Sequence, residues 1–247
     1  MIDLHSHVLP GLDDGAADLD EALRICEAAA ADGTEVLAAT PHVRADYPTT
    51  PAQMEAALAE VRRVVEGIVR VVPGGELDLD ELARPSEELA RFGLAGNPRW
   101  LLVETPYAGW PLDLADRLFR LRVAGFETVL AHPERNYDVE QRPELLQPLV
   151  SAGTLVQLTA ASVEGRLGRA AKNCAFDLLD RGLAHLIASD AHAPELRGVG
   201  LSAAAAAVGD DDLARWLTDS VPRAILEDAT APPRPGQKSR RRRWFQR

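Results

Sequence analysis

Seven short apolar runs alternate with helix-like segments, and most of the runs end in a side chain suited to metal binding. These two observations predict an α/β protein, a distorted TIM-like (β/α)7 barrel with its active site at the C-terminal ends of the strands. The runs fall at residues 2–4, 36–39, 69–72, 100–103, 128–131, 154–158 and 184–188. Between the first two, Leu19, Leu23, Cys26 and Ala30 share one face of a helix over residues 18–31. Asp18 and Glu21 read as its capping box, and Gly33 closes it. Thr50-Pro51-Ala52-Gln53 opens the next helix with an N-cap, a proline at the first helical position and a glutamine at the third, and Met54, Leu58, Val61 and Val65 line its apolar face. Residues 77–99 carry little periodicity beyond a helix at 87–92 and a turn at Gly96-Asn97-Pro98. Later helices are marked by Leu114, Leu118 and Leu121 before Gly125, by a short segment at 143–152 and by a longer one at 169–181.

The 247 residues are 46% hydrophobic, enough for one large core. Net charge is −11, but Arg234, Lys238, Arg240, Arg241, Arg242, Arg243 and Arg247 place seven of the 27 basic residues in the last fourteen positions. The remaining 20 stand against 38 acidic residues, so the body carries −18. Such a body repels phosphate backbones, which argues against nucleic-acid binding. The sequence divides into a catalytic barrel at 1–231 and a disordered basic tail at 232–247, whose Trp244-Phe245 pair suits a membrane surface or an acidic partner. Cys26 and Cys174 offer neither a disulfide framework nor a thiolate metal site, and no apolar run approaches membrane-spanning length. A cytoplasmic protein is expected, with self-association left open.

Five of the six histidines (His5, His7, His42, His132 and His192) sit at strand ends, and only His185 lies within a strand. Two imidazoles at i and i+2, as in His5-Ser6-His7, leave a strand on the same side. With Asp13 or Asp14, Glu76, Glu104 and Asp190, the rim offers roughly nine nitrogen and oxygen ligands and no sulfur. One catalytic metal needs about three protein ligands, so this set implies two or three divalent ions, of a kind that tolerates both imidazole and carboxylate. Arg135 and Arg197 follow His132 and His192 by a few residues, and guanidinium suits bidentate phosphate recognition. Together these point to a phosphoryl substrate.

The stretches Ile2-Asp3-Leu4-His5-Ser6-His7, Leu12-Asp13-Asp14-Gly15, Ala39-Thr40-Pro41-His42, Gly75-Glu76-Leu77, Ala131-His132-Pro133-Glu134-Arg135 and Ser189-Asp190-Ala191-His192 match a known pattern in order. The chain resembles the manganese-dependent tyrosine phosphatases of bacterial capsule and exopolysaccharide operons, the CpsB/YwqE group of the polymerase-and-histidinol-phosphatase superfamily. The resemblance implies a trinuclear site. His5, His7, Glu76 and Asp190 would hold one ion, and Glu76 would bridge to a second held by Glu104 and His132. His42, His192 and one of Asp13 and Asp14 would hold the third, with Asp14 preferred because it directly precedes Gly15. It further implies manganese, with iron or zinc as alternatives, phosphate-binding roles for Arg135 and Arg197, and a phosphotyrosine segment of an autophosphorylated kinase as partner. Arg197-Gly198-Val199 departs from the pattern, which has proline after the arginine, and the basic tail lies outside it.

Competing classes leave other signatures. A cysteine phosphatase needs an arginine six residues after its thiolate, where Cys26 and Cys174 have Asp32 and Asp180. Asp78-Leu79-Asp80 lies in an acidic helical segment rather than after a strand, against an aspartyl-phosphate enzyme. A binuclear amidohydrolase bridges its metals with a lysine where this chain has Glu104. Two alternatives stay open: a phosphatase of a small metabolite resembling histidinol phosphate, and a non-enzymatic scaffold docking through its tail.

Overall fold

The computed structural model describes residues 1–193 and 199–236. Its strands are β1 (Ile2–Ser6), β2 (Val36–Ala39), β3 (His42–Arg44), β4 (Tyr47–Pro48), β5 (Arg70–Pro73), β6 (Glu76–Leu77), β7 (Trp100–Glu104), β8 (Glu127–Ala131), β9 (Leu155–Thr159) and β10 (Leu186–Ala188). One sheet has the order β1-β2-β5, and a second runs β10-β9-β8-β7-β6-β3-β4. All these pairings are parallel except β3 with β4.

Apart from β4, which only pairs antiparallel with β3, the strands reduce to the expected seven strand lines. Thr40-Pro41 separates β2 from β3, and Gly74-Gly75 separates β5 from β6. Both breaks have local causes. Pro41 has no N–H for the ladder, and a Cβ on Gly74 or Gly75 would lie 2.8 Å from Thr40 or 2.7 Å from Phe92. Beyond the break, the Glu76 N–H donates to Pro41 O at 3.0 Å, so the two lines bend together. The last line returns to the first through one bridge, Ser6 with Ala191, supported by Asp190 N–H donating to His5 O (2.9 Å) and His7 N–H to Ala191 O (2.8 Å). That seam is thinner than the β7–β8 ladder, which registers five residue pairs.

The strands read as near-continuous apolar runs because helices cover their outer face. Helix Leu19–Ala31 is capped by Asp18, which accepts from Glu21 N–H at 2.9 Å, but the Glu21 carboxylate takes the Ala17 N–H (2.8 Å) instead of closing the expected reciprocal box. Pro51–Val64 has the complete box, Thr50 with Gln53. Arg169–Arg181 forms as expected and ends at Gly182 in left-handed conformation. Residues 77–99 resolve into 3-10 turns at Leu79–Ala83 and Leu94–Gly96 around helix Ser86–Arg91.

Past the last strand, the helices Ser202–Val208, Asp211–Arg215 and Val221–Leu226 pack back on the body. The extension expected from residue 232 begins with residues held to that body: Trp216 Nε1 donates to Pro232 O at 2.9 Å and Arg234 Nη2 to Leu179 O at 2.7 Å. The rest of the tail lies outside the described residues.

His185, just ahead of β10, serves the scaffold. Its Nδ1 accepts the Val156 N–H at 3.1 Å, which requires a neutral ring. Burial, aided by Arg234, pushes its pKa from 6.5 down to about 4. The unfolded chain therefore takes this proton first. The stabilisation is complete above pH 6.5 and is lost as pH falls toward 4. Urea unfolding of wild type against His185→Gln should show wild type alone losing about 2–3 kcal/mol from this group between pH 7 and 4.5.

Candidate metal centre

Each strand line delivers its polar residue to the same end. His5 projects from β1 and His7 directly follows it, with Asp3 at the same parity, and His42 and Glu76 open β3 and β6 directly after the two breaks. Glu104 ends β7, while His132 and Asp190 follow β8 and β10 with φ of +35° and +55°. A non-glycine residue in the left-handed region carries a backbone cost that surrounding contacts must hold in place, and such residues concentrate at functional sites. All nine, counting His192, are buried.

The hydrogen bonds fix the imidazole tautomers. His5 Nδ1 faces Gln157 Oε1 at 3.1 Å, an oxygen that also accepts the His132 N–H, so His5 Nδ1 is the donor. His7 Nδ1 donates to Asp13 Oδ2 (2.7 Å), and His192 Nδ1 to Asp190 O (2.9 Å). Three Nε2 atoms are thereby left as lone pairs. Those of His5 and His7 face each other at 3.2 Å and look at Glu76 Oε2 (3.3 and 3.4 Å) and Asp190 Oδ1 (3.5 and 3.4 Å). Glu76 Oε2 also lies 2.9 Å from His42 Nδ1, yet neither atom has a hydrogen bond of acceptable geometry. Acceptors converge here with no proton between them.

Charge tells the same story. Burial opposes protonation of His5 and His7, but Glu76 and Asp190 beside the first and Asp13 beside the second outweigh it and raise both pKa values. Burial likewise opposes ionisation of Glu76 and Asp190, yet the surrounding imidazoles hold both carboxyls well below the usual range. Glu104 moves upward, through burial and the charge of Glu76. The pocket thus demands positive charge. Protons on both His5 and His7 would set two N–H groups nose to nose at 3.2 Å, so divalent cations satisfy the geometry where protons do not.

Four groups of side chains have ligand atoms within 4.8 Å of one another: His5-His7-Asp190, His5-Glu76-His132, His42-Glu76-Glu104 and His7-Asp14-His42-His192. The first holds His5, His7 and Asp190 of one expected set without its Glu76, and the last holds Asp14, His42 and His192 of another with His7 added. The expected set Glu76-Glu104-His132 does not appear as one group, since Glu104 joins His42 and His132 joins His5, with Glu76 common to both. The aspartate pair separates by role. Asp14 Oδ1 lies 3.5 Å from His42 Nε2 and 3.4 Å from His192 Nε2. Asp13 faces away from this cluster, accepting from His7 Nδ1, His42 N–H (2.8 Å) and Gly15 N–H (2.9 Å), and these donors lower its pKa to about 2 against its burial. Arg135 Nη1 donates to Asp190 Oδ2 at 2.6 Å. Arg197 lies outside the described residues.

Several residues at the centre were missed in the sequence. Asp3 accepts Ser189 N–H (3.0 Å) and ties β1 to the last strand line, and its alternation with His5 and His7 was a readable signal. Gln157, a polar residue amid the apolar run of β9, was another. Arg44, whose Nη1 sits 3.4 Å from Glu104 Oε2, and the aromatic Tyr47 and Tyr107 carried no signal, because β3 and β4 are too short to show a period and Tyr107 lies in a loop.

An α/β scaffold with this buried set of imidazoles and carboxylates at its strand ends defines a candidate multinuclear metal centre. The chain belongs to the CpsB/CapC family of capsular polysaccharide synthesis, whose model matches residues 1–225. It is 31% identical to the tyrosine-protein phosphatase YwqE of Bacillus subtilis, over 99% of both chains. It is 25% identical to the tyrosine-protein phosphatase CpsB of Streptococcus agalactiae, over 80% of this chain and 85% of that one. In fold it superposes with a TM-score of 0.85, at 28% identity, on a chain from the crystal structures of YwqE and Streptococcus pneumoniae CpsB, described as metal-dependent tyrosine phosphatases; 96% of this chain and 100% of that one are covered.

The loop carrying the aspartate pair depends on a close approach. A Cβ on Gly15 would sit 2.1 Å from His7 O and 2.4 Å from His7 Cβ. Gly15→Ala should cost about 1–3 kcal/mol in urea unfolding, a typical overpacking penalty, and should shift the His7 ring resonances in NMR spectra.

Proposed function

We propose that this chain is a metal-dependent phosphomonoester hydrolase, a protein-tyrosine phosphatase acting on an autophosphorylated tyrosine kinase of capsule or exopolysaccharide export. The observation that carries this reading is the convergence of imidazole lone pairs and carboxylate oxygens around Glu76, with Arg135 at its edge. Manganese fits the mixed nitrogen and oxygen donors, as do iron and zinc. His5, His7 and Asp190 would hold one ion beside Glu76. Glu76, Glu104, His132 and His42 would serve a second, and Asp14, His42 and His192 a third. Such ions supply Lewis acidity and neutralise phosphoryl oxygens, the main electrostatic demand of the reaction.

The chain's own groups do the rest. Asp13 and Gln157 hold the His7 and His5 rings with Nε2 turned inward. Arg135, fixed by Asp190, offers its remaining donors to a phosphoryl group. Arg197 is a second phosphate-binding arginine in this reading. In this reading the catalytic barrel spans residues 1–231; Pro232 and Arg234, at the start of the tail, are bonded to it, and the basic residues farther on suit an anionic surface or acidic partner. Among the described residues no helix is long and apolar enough to cross a membrane, and a cytoplasmic location belongs to this proposal.

Metal analysis combined with assays on p-nitrophenyl phosphate and on matched phosphotyrosine and phosphoserine peptides tests the reading. Turnover should require divalent metal and favour phosphotyrosine; activity that survives chelation, or equal rates on both peptides, contradicts it. His132→Ala should abolish turnover in a folded protein. Asp13→Asn should weaken metal affinity by about 10- to 100-fold, and Asp14→Asn should lower the bound-metal count. Truncation after Gly236 should leave p-nitrophenyl phosphate turnover intact.

A further inference from the structure

Two arginine–tyrosine pairs flank the metal centre. The Arg44 guanidinium lies 5.2 Å from the centre of the Tyr47 ring, which is near-parallel to the His42 imidazole at 5.8 Å. On the other flank Arg135 lies 4.8 Å from the centre of the Tyr107 ring, which is near-parallel to His132 at 6.1 Å. The pairs differ in what they leave open. Tyr47 is largely covered, whereas Tyr107 keeps 47% of its surface exposed.

An exposed aromatic ring is common, but this one is fixed. The Asn136 side chain donates to Pro106 O at 2.6 Å, and Tyr137 N–H donates to Tyr107 O at 2.9 Å, so the loop after β7 is tied to the loop after β8. Arg135, from that second loop, completes the clamp. Tyr107 is therefore a fixed, half-open aromatic surface standing beside the arginine proposed to take the phosphoryl group.

We infer that Tyr107 is a specificity-determining residue, the wall on which the aryl group of a phosphate ester stacks while its phosphoryl end meets Arg135 and the metal centre. This rests on the phosphatase reading above. An aryl ester places a flat ring directly beyond its bridging oxygen, where Tyr107 meets it. An alkyl ester places a methylene there and gains no ring contact. Aromatic pairing of this kind is worth about three- to tenfold in binding. Because Arg135 packs on the same ring, loss of the side chain also loosens phosphate binding in general. The aryl-to-alkyl ratio, rather than the absolute rate, is the quantity that isolates the wall.

Phenylphosphonate and propylphosphonate, as competitive inhibitors of p-nitrophenyl phosphate turnover by the metal-loaded full chain, read that ratio directly. Wild type should bind the phenyl compound several-fold more tightly, and Tyr107→Phe should keep the preference because the ring face remains. Tyr107→Ala should abolish it, and Tyr107→Leu, which restores bulk without a π-face, should do the same if alanine disturbs the loop. A ratio unchanged in both the alanine and leucine variants overturns the inference, as does a Phe variant that loses the preference as fully as they do. Absence of any wild-type turnover fails the phosphatase reading and takes the inference with it. Turnover with an unaltered ratio fails Tyr107 alone.

Discussion

The Glu76 carboxylate is the constraint that the rest of the structure answers to. It is fully buried, with one oxygen 2.8 Å from His132 Nε2 and the other within 3.4 Å of nitrogens on His5, His7 and His42. A buried carboxylate without compensating charge costs several kcal/mol. The architecture around it supplies that compensation with four imidazoles from three other strand lines. The break at Gly74-Gly75 exists at the position that turns the chain into Glu76, and glycine is needed there because Thr40 and Phe92 leave no room for a side chain. The second break, at Thr40-Pro41, sets His42 opposite it in register.

An outer layer holds the imidazoles in the orientation this centre requires. Asp13 and Gln157 take the Nδ1 protons of His7 and His5, and a backbone carbonyl takes that of His192. Each choice turns an Nε2 lone pair inward, toward the carboxylates of the centre. The aspartate pair divides this labour between neighbours: Asp13 faces the ring of His7 from behind, and Asp14 looks across at His42 and His192. The bend that carries both residues allows one dipeptide to serve both purposes.

Much of this was legible in the sequence because strands impose a period. His5 and His7, Glu104, His132 and Asp190 could each be placed at a strand end from the apolar run that precedes them, and the helix over residues 51–64 from its capping box. Other parts were hidden for physical reasons. Sequence spacing gives the strand on which a ligand sits, but not how neighbouring strands interleave, so the sharing of His42 and the separation of Glu104 from His132 could not be read. Tyr107 owes its position to a loop tied by two hydrogen bonds, and Arg44 to a three-residue strand too short to show a period. The helices after residue 200 bury small alanine faces, which leave a weak periodic signal beside the leucine-rich faces upstream. Glu21 shows how a correct motif can close differently, since an N–H one residue earlier was the nearer donor.

The seam between Ser6 and Ala191 has a consequence for biosynthesis. Most of the centre is assembled from neighbours in the sheet, but the first group also needs Asp190, and the last needs His192. The ribosome emits the chain from the amino end, so His5 and His7 emerge almost two hundred residues before the partners that complete their cluster. The nascent protein therefore carries a half-built chelating site until residues 190–192 have emerged. Full metal capacity is a property that synthesis of this last strand line confers.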